Sequence, residues 1–541
     1  MTCTELPTSH WGKEIAVEVI AGVPYRMYTE RPTQVADILT LARRWRTRPH
    51  LVPGADEIGF DALLRAVAAK AEYLRGEGIG RGDRVMLLGW NSAQWVVNFW
   101  ACTQLGAVPA LANAWWSEFE LTEALELLDP ALILSDDAHG PDALPARVRR
   151  GQWGVDFAAR AEVNTPRLDA TGPSAHRRDE NAPAVIIFTS GTAGRAKAVE
   201  LSHRALIANL QMLLHMTHRL PHELSDDAGE VVLHTGPLFH VGGPQMLMRS
   251  IAVGNTIVMP TGRFDPAEAL ALIERHRVTR WAAVPTMVSR LLDHPDVATR
   301  DLSSLRAVTI GGAPIHAELL HRIAATLPAV NTGVPTGYGL TENCGQATAA
   351  SGRDTMKYPG TAGRALPCVE LDFVAVEGLT DPEILVRSPT QMTRYLGTSE
   401  SPIDREGWLH TGDLGHLDED GRLWITGRSK DLIIRGGENI APAAVERALV
   451  SLPGVLEAAV VGVAHPDLGE EVAAFVVVES DEHDADRLRA ELREGLRGKV
   501  ASFAIPSVWH LQREQLPTNH TGKIDKSALA KLAASRQSSR Q

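Results

Sequence analysis

Residues 183–214 read PAVIIFTSGTAGRAKAVELSHRALIANLQMLL. The apolar run 184–188 has the length and β-branched content of a buried strand. After it comes TSGTAGRAK, residues 189–197, built from small residues. Such residues permit a tight loop whose backbone N–H groups and hydroxyls converge on phosphate oxygens. Lys197 adds a compact positive charge. Next, Leu206, Ile207, Leu210, Leu213 and Leu214 recur at helical spacing, with Ser202 as the N-cap. The loop is not the G-x-x-x-x-G-K-[ST] cradle, because too few residues separate Gly191 from Gly194 and an alanine precedes Lys197. Taken alone, it is equally well read as a flexible surface turn.

Strand-like and helical patterns alternate outward from this stretch, which implies α/β layers. Residues 256–259 and 307–310 read as strands, 267–274 and 318–325 as helices. Residues 85–117 contain no charged side chain and are long enough to raise a membrane span. Asn91, Ser92, Gln94, Asn98, Gln104 and Asn113 argue against one, since amides in hydrocarbon are costly. The preferred reading is a strand at 85–88, a covered helix at 94–105 and a strand near 108–111. Residues 136–182, rich in Asp, Arg, Pro and Gly, read as a surface connection. The best boundary lies at 427–430. Beyond it, strands at 455–463 and 472–478 and helices at 486–496 and 527–535 make a small α+β domain. The last seven residues, SRQSSRQ, read as frayed. The expected fold class is thus α/β, with a large layered body over 1–427 and a small α+β domain over 428–541.

Lys and Arg total 54 against 66 Asp and Glu, a net charge of −12. That excludes a chain-wide basic surface for nucleic acid, so a phosphate ligand needs a local donor-rich site. The four cysteines form no C-x-x-C pair, which fits a reducing compartment, and the N-terminus lacks a signal-peptide pattern. A cytoplasmic protein without a transmembrane segment is expected. Only nine lysines stand among the 54 basic residues, so each survivor invites a local explanation.

Five further motifs carry chemistry. In PLFHVGG (237–243), His240 is by itself either a core histidine or a functional one. In GYGLTE (337–342), Thr341 and Glu342 end a glycine-rich turn, and a carboxylate beside phosphates suits Mg2+. GWLHTGDLG (407–415) sets Asp413 between glycines, able either to stabilise a turn or to accept a ribose diol. GRSKDLIIRGGENIAP (427–442) and PTNHTGK (517–523) complete the set.

The six in this order resemble the adenylate-forming superfamily of acyl-CoA synthetases, luciferases and nonribosomal-peptide adenylation domains, over about residues 60–530. The chain is most similar to a bacterial fatty-acid–CoA ligase. The resemblance implies an acid–thiol ligase using ATP, Mg2+ and CoA, with a mobile C-terminal domain. It implies that Thr189, Ser190, Gly191, Thr192, Gly194 and Lys197 hold the β- and γ-phosphates. Gly312, Ala313 and Pro314 would flank the adenine, beside Gly311 in the acyl pocket. Tyr338, next to Gly339, would stack on the base. Thr341 would contact the α-phosphate, Glu342 would hold Mg2+, and Asp413 would take the ribose hydroxyls with Arg428 assisting. Lys523 would bridge carboxylate and α-phosphate during reaction. Lys430 falls at the hinge, where many relatives are acidic, and Gly436, Gly437 and Glu438 would line a pantetheine channel after domain rotation.

The chain also departs from the pattern. Ala196 replaces a frequent proline and should loosen the loop; Ala198 replaces a frequent glycine and should crowd it. Where amino-acid-activating relatives carry an aspartate, this chain has PLFHVGG. The substrate then lacks an α-amino group, and His240 borders the acyl pocket while Val241, Gly242 and Gly243 let an apolar chain pass. Together with the Asn-Ala-Trp-Trp run at 113–116 this favours a medium- or long-chain fatty acid in lipid metabolism, ahead of an aryl or steroid side-chain acid. Transfer to a separate carrier protein or an amine, and a non-catalytic nucleotide-binding scaffold, are the competing classes. The resemblance also leaves room for a homodimer, for peripheral membrane contact and for a lysine acetyltransferase acting on Lys523.

Overall fold

The computed structural model describes residues 11–538, apart from 47, 55, 140–147, 158–178, 190–196, 314, 316, 331–332, 378, 380, 480–484 and 520–521. Two sheets form the body. The first runs Arg394–Tyr395, Lys197–Ser202, Pro183–Thr189, Val108–Ala112, Arg84–Leu88, Leu132–Ser135, Arg150–Gly151. Its four strands from Val108–Ala112 to Arg150–Gly151 are parallel, joined by helices Ala93–Leu105 and Glu118–Leu128. The second runs Ala307–Ile310, Arg280–Ala283, Val231–His234, Thr256–Met259, Pro49–Pro53, Ile58–Gly59, parallel except for the last pair.

The uncharged stretch 85–117 is the inside of this body. Trp95, Phe99 and Trp100 on helix Ala93–Leu105 are fully buried. Burying a side chain such as Phe99 stabilises by about 1.5–3 kcal/mol, so a helix apolar all round belongs between layers. Ser92 caps it by accepting from the Trp95 N–H at 3.1 Å, and Gly106 ends it at φ 71°. The buried Asn98 amide donates to the Trp153 carbonyl at 3.2 Å, which offsets its desolvation. Among the described residues no helix is long and apolar enough to cross a membrane.

The structure adds one strand that the sequence did not display and revises two expectations. The segment after the small-residue loop is a strand before it is a helix: Lys197–Ser202 pairs antiparallel with Pro183–Thr189, Thr189 opposite Lys197, and the helix begins at His203. Ser202 is its N-cap as expected, accepting from the Ala205 N–H at 3.2 Å. The described part of 136–182 is more than a surface connection, since Arg150–Gly151 extends the first sheet and Lys70 donates to the Gln152 carbonyl. The C-terminal helix Lys526–Ser538 continues into the tail read as frayed.

The alternation of strands and helices stops near residue 370. An antiparallel layer of Glu370–Val374, Glu383–Arg387, Leu409–Leu417 and Leu423–Arg428 follows. The chain leaves this layer at Arg428 through the short turn Ser429–Asp431, where Lys430 is exposed. The rest forms a five-stranded sheet covered by Pro442–Val450, Ala485–Leu496 and Lys526–Ser538, with its own apolar cores around Val460 and Phe475. Gly436 (φ 58°) and Gly437 (φ 87°) make the exposed hairpin turn between Ile433–Arg435 and Glu438–Ile440.

Candidate active site

Asp413 lies on strand Leu409–Leu417 opposite Arg428, only 6% exposed. Its Oδ2 accepts from the Tyr338 hydroxyl at 2.7 Å and its Oδ1 from Arg428 Nε at 2.6 Å. Burial, reinforced by the Asp413 charge, pushes the Tyr338 hydroxyl pKa well above its ordinary value, so it stays a donor. Burial works against the Arg428 charge, but the Asp413 carboxylate outweighs it and raises the guanidinium pKa.

Lys523 arrives from the C-terminal domain. A Cβ on Gly312 would sit 3.1 Å from Lys523 Cε and 3.7 Å from its Nζ. Gly312 is at φ +81°, a backbone that glycine tolerates, and its bare face makes room for the lysine stem. The Thr286 hydroxyl donates to the Gly522 carbonyl. Asn519 N–H donates to the Lys523 carbonyl at 2.7 Å, and Lys523 N–H to Asn519 Oδ1 at 3.2 Å. Arg290 Nε reaches Gln515 Oε1 at 2.5 Å beside this seam. Burial lowers the Lys523 pKa; Arg428 pulls the same way and Asp413 opposes it. The tail lysine therefore lies against Gly312 of the body, within electrostatic reach of Asp413 and Arg428.

The GYGLTE stretch is a packed hairpin rather than a solvated turn. A Cβ on Gly339 would fall 1.4 Å from the Gly345 carbonyl oxygen, and one on Gly337 2.4 Å from that of Thr348. Gly339→Ala should therefore disrupt this hairpin and cost more than about 3 kcal/mol, read as a loss of midpoint in urea unfolding. Thr341 follows, 7% exposed, at the start of the turn Thr341–Asn343. Glu342 Oε1 accepts from the Tyr395 hydroxyl at 2.7 Å, and Lys197 Nζ sits 4.6 Å from the centre of the Tyr395 ring.

Gly311 faces open space, and Ala313 beside Gly312 is partly exposed. His240 is half-buried just before helix Gly242–Val253, and the Gly242 N–H points at its Nδ1 from 3.5 Å. Val241 is buried in the main core. A Cβ on Gly243 would lie 2.1 Å from the Leu238 carbonyl oxygen, so the bare Gly243 serves the turn itself. Ser190, Gly191, Thr192, Gly194 and Ala196 lie outside the described residues, as does Pro314; Thr189 and Lys197 flank the loop as a cross-strand pair. Ala198 is fully buried between Phe188 and Leu396, so its methyl fills core space. Lys430, Gly436, Gly437 and Glu438 are exposed on the C-terminal side of the boundary.

Sequence reasoning missed two residues. Tyr395 sits in no motif. Asn91, considered only as an obstacle to a membrane span, donates to the Gly236 carbonyl at 2.7 Å and accepts from the Leu238 N–H at 2.8 Å, clasping the loop that leads to His240.

The AMP-binding enzyme family model matches residues 40–396, and the AMP-binding enzyme C-terminal domain matches 444–523. The chain belongs to the AMP-binding enzymes. It is an adenylate-forming ligase of the acid–thiol class, with the large body and smaller C-terminal domain of that fold. Indoleacetate–CoA ligase of Aromatoleum aromaticum is 31% identical, over 88% of this chain and 94% of its own. A 3-[(3aS,4S,7aS)-7a-methyl-1,5-dioxo-octahydro-1H-inden-4-yl]propanoyl:CoA ligase of Mycobacterium tuberculosis is 35% identical, over 87% and 93%. The structure of o-succinylbenzoate CoA synthetase from Bacillus subtilis with its acyl-adenylate intermediate matches with a TM-score of 0.75 at 28% identity, covering 91% of this chain and 97% of that one.

Proposed function

We propose that the protein joins a ring-bearing carboxylic acid to CoA, in two steps: acid and ATP give acyl-AMP and pyrophosphate, then the CoA thiol displaces AMP. The observation that carries this reading is that Lys523, from the C-terminal domain, lies against Gly312 of the body, within electrostatic reach of the Asp413–Arg428 pair. A carboxylate attacking a triphosphate meets like charge. A partly buried ammonium at the meeting point lowers that barrier, and fixed donors need no reorganisation. Asp413, held by Tyr338 and Arg428, has the remaining lone pairs to accept the ribose hydroxyls. Thr341 would contact the α-phosphate, while Thr189 and Lys197 frame the β- and γ-phosphates.

The residues also fit Mg2+. Among the described residues no group of three or more His, Cys, Asp and Glu could hold a metal. An ion at Glu342 would then rest on one carboxylate plus phosphate oxygens, the manner in which Mg2+ is commonly held. When bound, it neutralises phosphate charge.

The fatty-acid expectation gives way to the aryl or steroid side-chain alternative. Its support is that the relatives reported above, each spanning most of this chain, act on indole- and indane-bearing acids. Lys523 delivered by a separately folded domain supports rotation of residues 428–541 between the two steps, with Lys430 near the pivot.

Pyrophosphate release should be measured over indoleacetate, an indane-propanoate, a hydroxycinnamate and decanoate, with and without CoA. A ring-bearing acid should exceed decanoate in kcat/KM by at least about tenfold, with acyl-CoA as the product when CoA is present. Preference for decanoate would restore the fatty-acid reading, and no acid-dependent release from any substrate would remove the ligase reading.

A further inference from the structure

Tyr395 lies on the two-residue edge strand Arg394–Tyr395, which pairs with Lys197–Ser202 so that Tyr395 stands opposite Val199. Four contacts fix this strand. Arg394 Nε meets the buried Glu200 carboxylate at 3.0 Å. Thr393 N–H donates to the Glu200 carbonyl and Leu396 N–H to that of Ala198, both at 2.9 Å. Met392 N–H donates to the Glu342 carbonyl at 2.8 Å, tying the strand to the GYGLTE hairpin. Tyr395 is thus held rigidly, 8% exposed, between two charged groups of opposite sign.

Each end of the side chain has a task. The hydroxyl donates to Glu342 Oε1 at 2.7 Å, and among the described residues no other hydrogen bond reaches that carboxylate's side chain. The ring faces Lys197 Nζ at 4.6 Å from its centre, within cation–π range.

Resting on the ligase reading above, we propose that Tyr395 is a positioning residue for adenylation. Its hydroxyl aims the Glu342 carboxylate at the divalent ion, and its ring holds Lys197 toward the triphosphate. One aromatic side chain thereby sets the spacing between the metal-side anion and the phosphate-side cation.

Two variants separate the two tasks. Tyr395→Phe keeps the ring and loses the hydroxyl; Tyr395→Leu loses both. For Phe, the Mg2+ concentration giving half-maximal adenylation should rise about tenfold, since a hydrogen bond to a charged group is lost. The ATP KM at saturating Mg2+ should change less than about twofold, because the ring still faces Lys197. Leu should raise both. Thiolation of a supplied acyl-adenylate, which needs neither group, should match wild type in both variants. A readout independent of turnover is Mn2+ binding in the presence of a non-hydrolysable ATP analogue, followed by electron paramagnetic resonance. The Phe variant should need about tenfold more Mn2+. Unchanged Mn2+ and Mg2+ requirements in the Phe variant would overturn the proposal. So would equal loss in both half-reactions with a lowered melting temperature, which would make Tyr395 a packing residue only. Wild-type protein lacking acid-dependent ATP–pyrophosphate exchange would instead remove the ligase reading, so the two failures are distinct.

Discussion

Lys523→Ala should slow acyl-adenylate formation by about 10²–10³-fold, the usual cost of removing one donor aimed at developing charge. Thiolation of a supplied acyl-adenylate should fall by less than about threefold, because that step begins after the acid–phosphate bond has formed. The asymmetry follows from where the lysine is held. Its stem crosses the bare face of Gly312, and its loop is fastened to the body by Thr286 and closed by Asn519. Alanine removes the ammonium without disturbing those backbone contacts, so the fold should survive. The pH dependence gives a second signature. Burial lowers the Lys523 pKa, so the protonated fraction falls as pH rises through a value below the ordinary 10.5. Adenylation should therefore lose rate on the alkaline side at a lower pH than a free lysine would dictate, while thiolation should not share that limb. Rapid-quench measurement of each half-reaction checks both statements. Equal losses in the two would contradict a lysine that serves one pose of a moving domain.

Asp413→Ala has the second large effect. The ATP KM should rise about ten- to a hundredfold, the cost of losing an acceptor that takes hydrogen bonds from two ligand hydroxyls. Stability should fall as well, since the Tyr338 hydroxyl, in an almost fully buried ring, is left without its 2.7 Å partner. The Arg428 side chain is 51% exposed, so water re-solvates it and the stability loss falls well short of that for a sealed ion pair. Asp413→Asn separates the contributions. An amide oxygen can still accept from Tyr338 but carries no charge for Arg428. Asn should recover much of the melting temperature and less of the ATP affinity. An unchanged ATP KM in the alanine variant would remove Asp413 from the ribose site.

The residues on which these predictions rest differ in how openly the sequence displayed them. Lys523, Asp413, Glu342 and Lys197 each sit in a short motif whose glycines and hydroxyls are needed by the chemistry itself. Gly339 was visible as a letter of its motif. That it is required by a 1.4 Å approach to the Gly345 carbonyl was not visible, because the approach belongs to a hairpin fold-back. Tyr395 lay in no pattern. Its partner Glu342 is 53 residues away, and the strand that carries it is two residues long, too short for any periodic signal.

Local spacing determined the covered helix Ala93–Leu105 and its flanking strands, the Ser202 cap, and the order of the six motifs, because burial and capping act over a few neighbouring residues. Tertiary structure alone decided that Lys197–Ser202 is a hairpin strand, that Asn91 clasps a loop 145 residues away, and that Tyr338 meets Asp413 across 75 residues. Such contacts are made by chain closure and layer packing. A hydrogen-bonding side chain looks the same in sequence whether its partner comes from water or from a distant strand, and only the packed chain selects which.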